Sequence, residues 1–326
     1  MAQVARVVRI DETTTEAAIA AVPCSLIVGN FDGVHRGHQF VLGEAVTYAR
    51  AQGLAACVLT FDPHPATVVG RGAPPLLTTL ERKAELVGDI GVERVYVRRF
   101  DAAFAAWSPE RFARDLVAAT LKARVVVVGE NFRFGARRAG DLKLLETQGT
   151  ILGFEARVHS VAADDLGAFS STRARDAVAA GRVEEAANVL GRPHAVSGVV
   201  VHGDARGRTI GVPTANLDGI DELLPMNGVY AVRVDLLGDS TGGARQDVRP
   251  VGSGVTNIGV RPTVEGSARR VEVHVLDAPP DLDLYGKRLR VHFVARLRDE
   301  KRFASLDELK AQIGDDIAQA RARLSS

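Results

Sequence analysis

The feature that most constrains this chain is an alternation that runs from about residue 25 to residue 128. Short apolar runs rich in Val, Leu and Ile occur at 25–28, 55–61, 94–97 and 125–128. Stretches with helical spacing separate them at 39–51, 79–90 and 109–121. A strand that is apolar at nearly every position is buried on both faces. Strand and helix in strict turn therefore predict an α/β, doubly wound parallel sheet with helices on either side. Ligands in such a sheet bind beyond the carboxyl ends of the strands. Three segments lie just past such ends: Gly29 onward, Phe61-Asp62-Pro63-His64-Pro65, and Gly129-Glu130-Asn131-Phe132.

The pattern changes near Gly191-Arg192-Pro193, which divides the chain into domains at 1–190 and 191–326. Before that point, Ser170-Ser171-Thr172 starts a helix, Gly181 interrupts it, and a second helical run continues to about Leu190. Beyond it, short alternating runs at 195–202, 228–234, 271–276 and 287–297 are separated by turn residues. They predict a small antiparallel β-barrel. The stretch 238–247 is polar and glycine-rich and reads as a mobile loop. Ser305-Leu306-Asp307-Glu308 is a capping box. Leu306, Leu309, Ile313 and Ile317 then form a stripe expected to dock the terminal helix on the barrel.

Composition excludes several classes. The net charge is +1, which gives no electrostatic footprint for nucleic acid. No apolar run is long enough to span a membrane, and no signal peptide is apparent, so the expected location is the cytoplasm. Cys24 and Cys57 sit in apolar runs and read as buried packing residues.

The segment Gly29-Asn30-Phe31-Asp32-Gly33-Val34-His35-Arg36-Gly37-His38 joins an apolar run to a helix. A strand, a glycine turn and a helix N-terminus form an anion site. Two histidines three residues apart share one face of the first turn. The spacing fits neither a dinucleotide fingerprint nor a P-loop. The histidines lack the spacing of a zinc site, and no third ligand is near in sequence.

His35 to His38 resembles the HxGH signature of the nucleotidylyltransferases. Residues 203–217, with the core Pro213-Thr214-Ala215-Asn216, resemble the flavin kinase signature. Both motifs in one chain, in this order, resemble the bacterial bifunctional riboflavin kinase/FAD synthetase family from about Ser25 to about Arg323. The resemblance implies a Rossmann-like nucleotidylyltransferase domain followed by the kinase barrel and its terminal helix. It also implies two reactions. Riboflavin is phosphorylated by ATP to FMN, and FMN is adenylylated by ATP to FAD with release of pyrophosphate. Mg²⁺ is implied in both, and the partners are riboflavin, FMN, FAD and ATP.

For adenylyl transfer the resemblance places His35 and His38 on ATP, with Gly29 and Asp32 in the same binding turn. The attacking FMN phosphate is already an anion and needs no base, so preorganised donors carry the catalysis. Ser171, Thr172 and Arg175 match the family's S-T-x-x-R signature for the triphosphate. Ala174 stands where a larger aliphatic residue is usual. A plain helix N-cap is the alternative reading of the hydroxyls, and the two roles are compatible. Asn131, Phe61, Pro63 and Pro65 match segments near nucleotide and flavin. A loop asparagine capping backbone is the alternative for Asn131. His64, between prolines, reads as structural.

For phosphoryl transfer the resemblance makes Thr214 and Asn216 the Mg–nucleotide ligands and Glu272 the catalytic base. Hard neutral oxygens suit Mg²⁺, and residues two apart in a strand share a face. Alternation sets Glu272 opposite in direction to Val271 and Val273. Gly203, Arg206, Gly207, Arg208 and Gly211 form a basic loop able to close over phosphates. Val212 stands where an aromatic is common. Tyr230, Asn257 and Arg261 read as structural or peripheral. Two rival readings are a kinase with a decayed transferase half and a flavin sensor without turnover. The intact His35, His38, Ser171, Thr172 and Arg175 argue against the first. The intact Thr214, Asn216 and Glu272 argue against the second.

Overall fold

The computed structural model describes residues 4–70, 72–159, 162–202, 212–238, 247–263, 266–279 and 282–325, with backbone alone at 261–263 and 266–268. By contact the chain forms two units. The first holds chiefly Met1–Pro74 and Leu80–Phe169, the second chiefly Pro75–Thr79, Ser170–Gly242 and Gln246–Ser326.

The first unit is a six-stranded, all-parallel sheet. Its strands are β1 (Arg6–Ile10), β2 (Cys24–Val28), β3 (Ala55–Asp62), β4 (Arg94–Arg99), β5 (Ala123–Gly129) and β6 (Glu155–His159), in the order β1-β4-β3-β2-β5-β6. The four apolar runs are the four inner strands. All five residues of β2 are buried. Leu26 and Val28 enter one core with Leu59 and Val126, while Ile27 enters the opposite core with Val58 and Val95. This is the period-2 consequence of a sheet covered on both sides. Each such side chain contributes roughly 1.5–3 kcal/mol by leaving water. The edge strands β1 and β6 escape the sequence reading because half-exposed edges carry charged residues such as Arg6, Arg9, Glu155 and Arg157. A short hairpin, β7 (Ala163–Asp164) and β8 (Gly167–Ala168), follows.

The helix Arg36–Ala51 buries Val41, Leu42, Ala45, Val46 and Ala49 against the sheet. The expected helix at 109–121 is α-helical only over Pro109–Arg111 and continues as a π-helix over Phe112–Thr120. The wider winding keeps Phe112, Ala113, Leu116 and Val117 all buried on one side. Cys24 and Cys57 are free and buried, as the sequence implied.

The second unit is a closed antiparallel barrel. Its strands are β9 (His194–Val201), β10 (Ala215–Asp218), β11 (Gly228–Leu237), β12 (Val248–Thr263), β13 (Gly266–Val275) and β14 (Arg288–Arg298), in the order β10-β13-β12-β11-β14-β9. Val196, Leu217, Val232, Ile258, Val271, Val273, Val291 and Phe293 fill it. The long β12 gave no strand signal, because Pro250, Gly252, Gly254 and Gly259 interrupt its pattern. The helices Ser171–Ala179 and Val183–Leu190 group with this unit, and Val183, Ala186, Val189 and Leu190 are fully buried.

The terminal helix Leu306–Leu324 starts at its capping box, where Ser305 Oγ accepts from Glu308 N at 3.2 Å. Leu309, Ile313 and Ile317 of the expected stripe are half-buried on its docking side. Leu306 is 54% exposed, and the buried residues are Asp316 and Ala320. Ala320 packs on Ala231 and Ala295. Asp316 takes a two-pronged bond from Arg298, Nε to Oδ1 at 2.8 Å and Nη2 to Oδ2 at 2.8 Å. Small residues allow close approach, and a paired carboxylate shares the docking side with Leu309, Ile313 and Ile317. Residues 203–211 and 239–246 lie outside the described residues. Those ranges contain Gly203, Arg206, Gly207, Arg208, Gly211 and nearly all of the polar loop at 238–247.

Candidate active sites

In the first unit, β2 lies between β3 and β5, so the chain leaves its carboxyl end where the strand order reverses. Gly29 N donates to Leu59 O at 3.0 Å as the chain turns off the sheet. Phe31 (φ 48°), Gly33 (φ 80°) and Val34 (φ 40°) all adopt left-handed backbone. For a β-branched residue such as Val34 this is a strained conformation, costing roughly 1–3 kcal/mol. Burial of Phe31 and Val34 in the core holds the turn closed.

The turn delivers His35 to the helix N-cap, where its Nδ1 accepts from His38 N at 3.3 Å. With Nδ1 as acceptor, the neutral ring carries its proton on Nε2, a donor on the opposite side of the ring. The His35 and His38 rings stack, with centroids 3.6 Å apart and planes 25° apart. A side chain at Gly37 would meet the His35 ring at 3.1 Å, so glycine lets the ring lie there without a shift. His35 and Asp32 are both buried, at 5% exposure.

A cavity of about 560 Å³ opens beside this turn. Gly29, Phe61, Pro65 and Asn131, expected from sequence, line it; Pro63 does not. The three strand ends therefore meet at one cavity. His64 also lines it. Its Nε2 lies 2.9 Å from Asn30 Nδ2, and its Nδ1 accepts from Ala66 N at 3.2 Å. Sequence reasoning missed most of the wall: Phe100, Phe104, Trp107, Phe112, Phe132 and Phe134. The chain is only 5% aromatic, yet six of its twelve phenylalanines and its one tryptophan line this cavity. That concentration between residues 61 and 134 was the available signal. Buried Arg98 lies 4.6 Å over the Phe104 ring and backs the wall from behind.

Lys83 lies on the helix Leu80–Ile90. Burial pulls its ammonium below the usual lysine range, and the carboxylates of Asp32 and Asp62 partly oppose this.

In the second unit Ser170 is the cap of its helix, its Oγ accepting from Arg173 N at 3.1 Å. Ser171 and Thr172 are therefore the first two helical residues rather than the cap. Arg175 Nε donates to Pro75 O at 2.8 Å. Ala174 is fully buried.

The barrel carries a second cluster on its outer surface. Asn216 of β10 lies directly opposite Glu272 of β13, which in turn lies opposite Asn257 of β12. Val271 and Val273 point into the barrel at 1% exposure, so Glu272 points out. Asn216 is buried at 7% exposure, and half-buried Thr214 immediately precedes its strand. Arg270 Nε donates to Asn216 Oδ1 at 2.6 Å and lies 3.0 Å from Glu272 Oε1. His274, two residues beyond Glu272, donates from Nδ1 to Pro213 O at 2.8 Å and so fixes the chain just before Thr214. His274 and Arg270 were not found from sequence. The signal was the shared face of alternate β13 residues. Tyr230 is fully buried in the barrel core, a structural role. The side chain of Arg261 lies outside the described residues.

The amide oxygen of Asn216 is turned toward a cation, and a neutral oxygen of this kind, with the Thr214 hydroxyl two residues earlier in the chain, fits Mg²⁺ shared with phosphate oxygens. Among the described residues there is no cluster of three or more His, Cys, Asp or Glu able to hold a metal. A metal here would therefore depend on such neutral oxygens and on its substrate.

Comparison with known proteins gives three findings. Residues 19–173 match the FAD synthetase family and residues 190–324 match the riboflavin kinase family. A bifunctional riboflavin kinase/FMN adenylyltransferase of Escherichia coli K12 is 42% identical over 91% of this chain and 92% of its own. One from Bacillus subtilis is 35% identical over 90% of each. A crystal structure from Streptococcus pneumoniae, called a macrolide-efflux protein, has TM-score 0.81 and 30% identity over 97% of this chain and 98% of its own. Among the described residues no helix is long and apolar enough to cross a membrane.

Proposed function

This chain belongs to the bifunctional riboflavin kinase/FMN adenylyltransferase family, and we propose that it makes FMN from riboflavin and ATP, then FAD from FMN and ATP. The observation that carries this reading is the presence on one chain of two separate constellations. One is the stacked His35–His38 pair beside an aromatic cavity; the other is the Asn216–Glu272 pair on the barrel. Each suits one of the two reactions, and neither suits both.

In adenylyl transfer an FMN phosphate oxygen attacks the α-phosphorus of ATP and pyrophosphate leaves. The aromatic cavity, with Phe61, Pro65 and Asn131 in its wall, takes the isoalloxazine ring, and Pro63 shapes the adjoining turn. His35 and His38 donate to the phosphates as charge crowds onto one phosphorus. The turn of Gly29 and Asp32 and the helix N-terminus bring backbone N–H groups to the same anion. Ser171, Thr172 and Arg175 supply further donors to the triphosphate.

In phosphoryl transfer the ribityl hydroxyl loses its proton to Glu272 as its oxygen attacks the γ-phosphorus and ADP leaves. Thr214 and Asn216 would hold Mg²⁺, which when bound screens the phosphate charge. Gly203, Arg206, Gly207, Arg208 and Gly211 supply donors to the same phosphates. We place the division of labour at residues 1–190 and 191–326, and the enzyme in the cytoplasm.

The test is one incubation of the chain with riboflavin, ATP and Mg²⁺, with flavins resolved by chromatography over time. FMN should appear first and FAD after it. FMN without FAD rejects the assignment of the first half, and neither product rejects both.

A further inference from the structure

Asn216 Oδ1 and Glu272 Oε1, on facing strands, share one partner atom, Arg270 Nε, at 2.6 and 3.0 Å. The sharing follows from the register. Asn216 and Glu272 are directly paired, and Arg270 precedes Glu272 by two, so all three side chains rise from the same face of the sheet. Opposite Arg270 on β12 stands Gly259, which adds no side chain to that row. Asn216 and Arg270 are largely buried, with side-chain exposure of 21% for Arg270, so bulk water screens this contact only partly.

We infer that Arg270 competes with the metal–nucleotide for Asn216 Oδ1, acting as a built-in cation that the incoming Mg²⁺ complex displaces. The inference rests on the reading of Asn216 as a metal ligand. An amide oxygen has a second lone pair, but that does not remove the conflict. A dication bound at about 2.1 Å from Oδ1 lies within about 5 Å of a guanidinium nitrogen bonded to the same oxygen, and like charges repel at that range. The guanidinium has an alternative that keeps it in place beside the site: it can release Asn216 and stay on the Glu272 carboxylate. Arg270 therefore sets how much Mg²⁺ the barrel site needs, without touching the reacting atoms.

The test is a calorimetric titration of the full chain with Mg²⁺–ADP, repeated on Asn216→Ala, Arg270→Gln, Arg270→Met and Arg270→Lys. The binding phase lost in Asn216→Ala belongs to the barrel. Competition requires that phase to tighten in both neutral variants, by roughly fivefold or more, as for coupled sites generally. Arg270→Lys, which keeps the charge, stays near the parent. The Mg²⁺ concentration for half-maximal FMN formation falls in the neutral variants in parallel. An unchanged or weakened barrel phase in Arg270→Gln and Arg270→Met overturns the competition while leaving the metal reading standing. So does tightening by the same factor in Arg270→Lys, which would remove charge as the cause. If Asn216→Ala abolishes no phase, the metal reading itself fails, and with it the competition.

Discussion

His35 and His38 stack ring on ring, 3.6 Å between centroids, at the end of the turn whose Gly29 and Asn30 line a cavity walled by phenylalanine. The stack holds two imidazole edges toward one place and leaves little freedom to either. Replacing His38 by Ala removes one donor and the support of the other. FAD formation from supplied FMN should fall by about two orders of magnitude, on the order of 3 kcal/mol in the barrier. FMN formation from riboflavin should be unaffected. Parallel steady-state assays on one preparation decide this, and an unchanged FAD rate in a folded variant rejects the role.

Glu272→Gln keeps the size and reach of the side chain and removes the proton acceptor. Riboflavin phosphorylation should drop roughly 10²–10⁴-fold. Riboflavin and Mg–ATP should still bind, because Thr214 and Asn216 remain. FMN adenylylation should continue at the parent rate. Near-normal kinase turnover would sink the assignment. Loss of Mg–ATP binding together with activity would make Glu272 a metal or structural residue instead.

What the sequence disclosed and what it hid follow from the range of the interactions involved. The His35–His38 turn was legible because its geometry is set within one turn, and the Pro213–Asn216 segment because it resembles the flavin kinase signature, although His274 and Arg270 of another strand hold it in place. The inner strands were legible because burial on both faces demands uninterrupted Val, Leu and Ile. In the terminal helix Leu309, Ile313 and Ile317 were placed on the docking side, but Asp316 was not expected there, since its partner is Arg298 on the preceding strand. Long-range pairing leaves no local mark. The same holds for Arg270, whose meaning depends on which strand lies beside β13, and for Phe100, Phe104 and Trp107, which reach the cavity only when β4 and β3 align.

Gly135 ties the cavity wall together. Its φ is +71°, and a Cβ there would fall 2.6 Å from both the backbone nitrogen and Cγ of Pro109. The next residue, Ala136, donates its N–H to Trp107 O at 2.7 Å. Gly135→Ala meets a rigid proline and a disfavoured backbone together, so roughly 2–4 kcal/mol of stability should be lost. Urea unfolding of the first unit measures it. KM for FMN should rise because Trp107 and Phe134 shift, and riboflavin phosphorylation should not change. A variant as stable as the parent would show that Pro109 yields.

Glu222 gives a stability that depends on pH. It is 5% exposed, and burial raises its pKa above the ordinary 4.5, opposed by the Ser197 N–H bond to Oε2 and by Arg288. A carboxyl whose folded pKa is raised binds its proton more tightly when folded. Its contribution is therefore best below 4.5 and declines as pH rises through the folded value. Glu222→Gln removes this dependence. The variant's stability relative to the parent should increase as pH rises above 4.5 and the parent carboxyl ionises. Denaturant unfolding at several pH values tests it, and a difference that shrinks with rising pH contradicts the sign.

The last prediction concerns where the barrel's own fold begins. The sequence pattern changes at Gly191, yet Val183, Ala186, Val189 and Leu190 are buried and the helix that carries them groups with the barrel. Val183 joins the barrel core itself. A chain starting at Arg192 would leave that part of the barrel bare, at a cost of several kcal/mol of apolar burial. Chains of residues 170–326 and 192–326 should therefore both phosphorylate riboflavin, but the longer should melt about 5 °C or more higher. Calorimetric melting at matched concentration measures the difference. Equal melting temperatures would mean that the helix Val183–Leu190 adds nothing to the barrel, and its buried face would then belong to the adenylyl-transfer half.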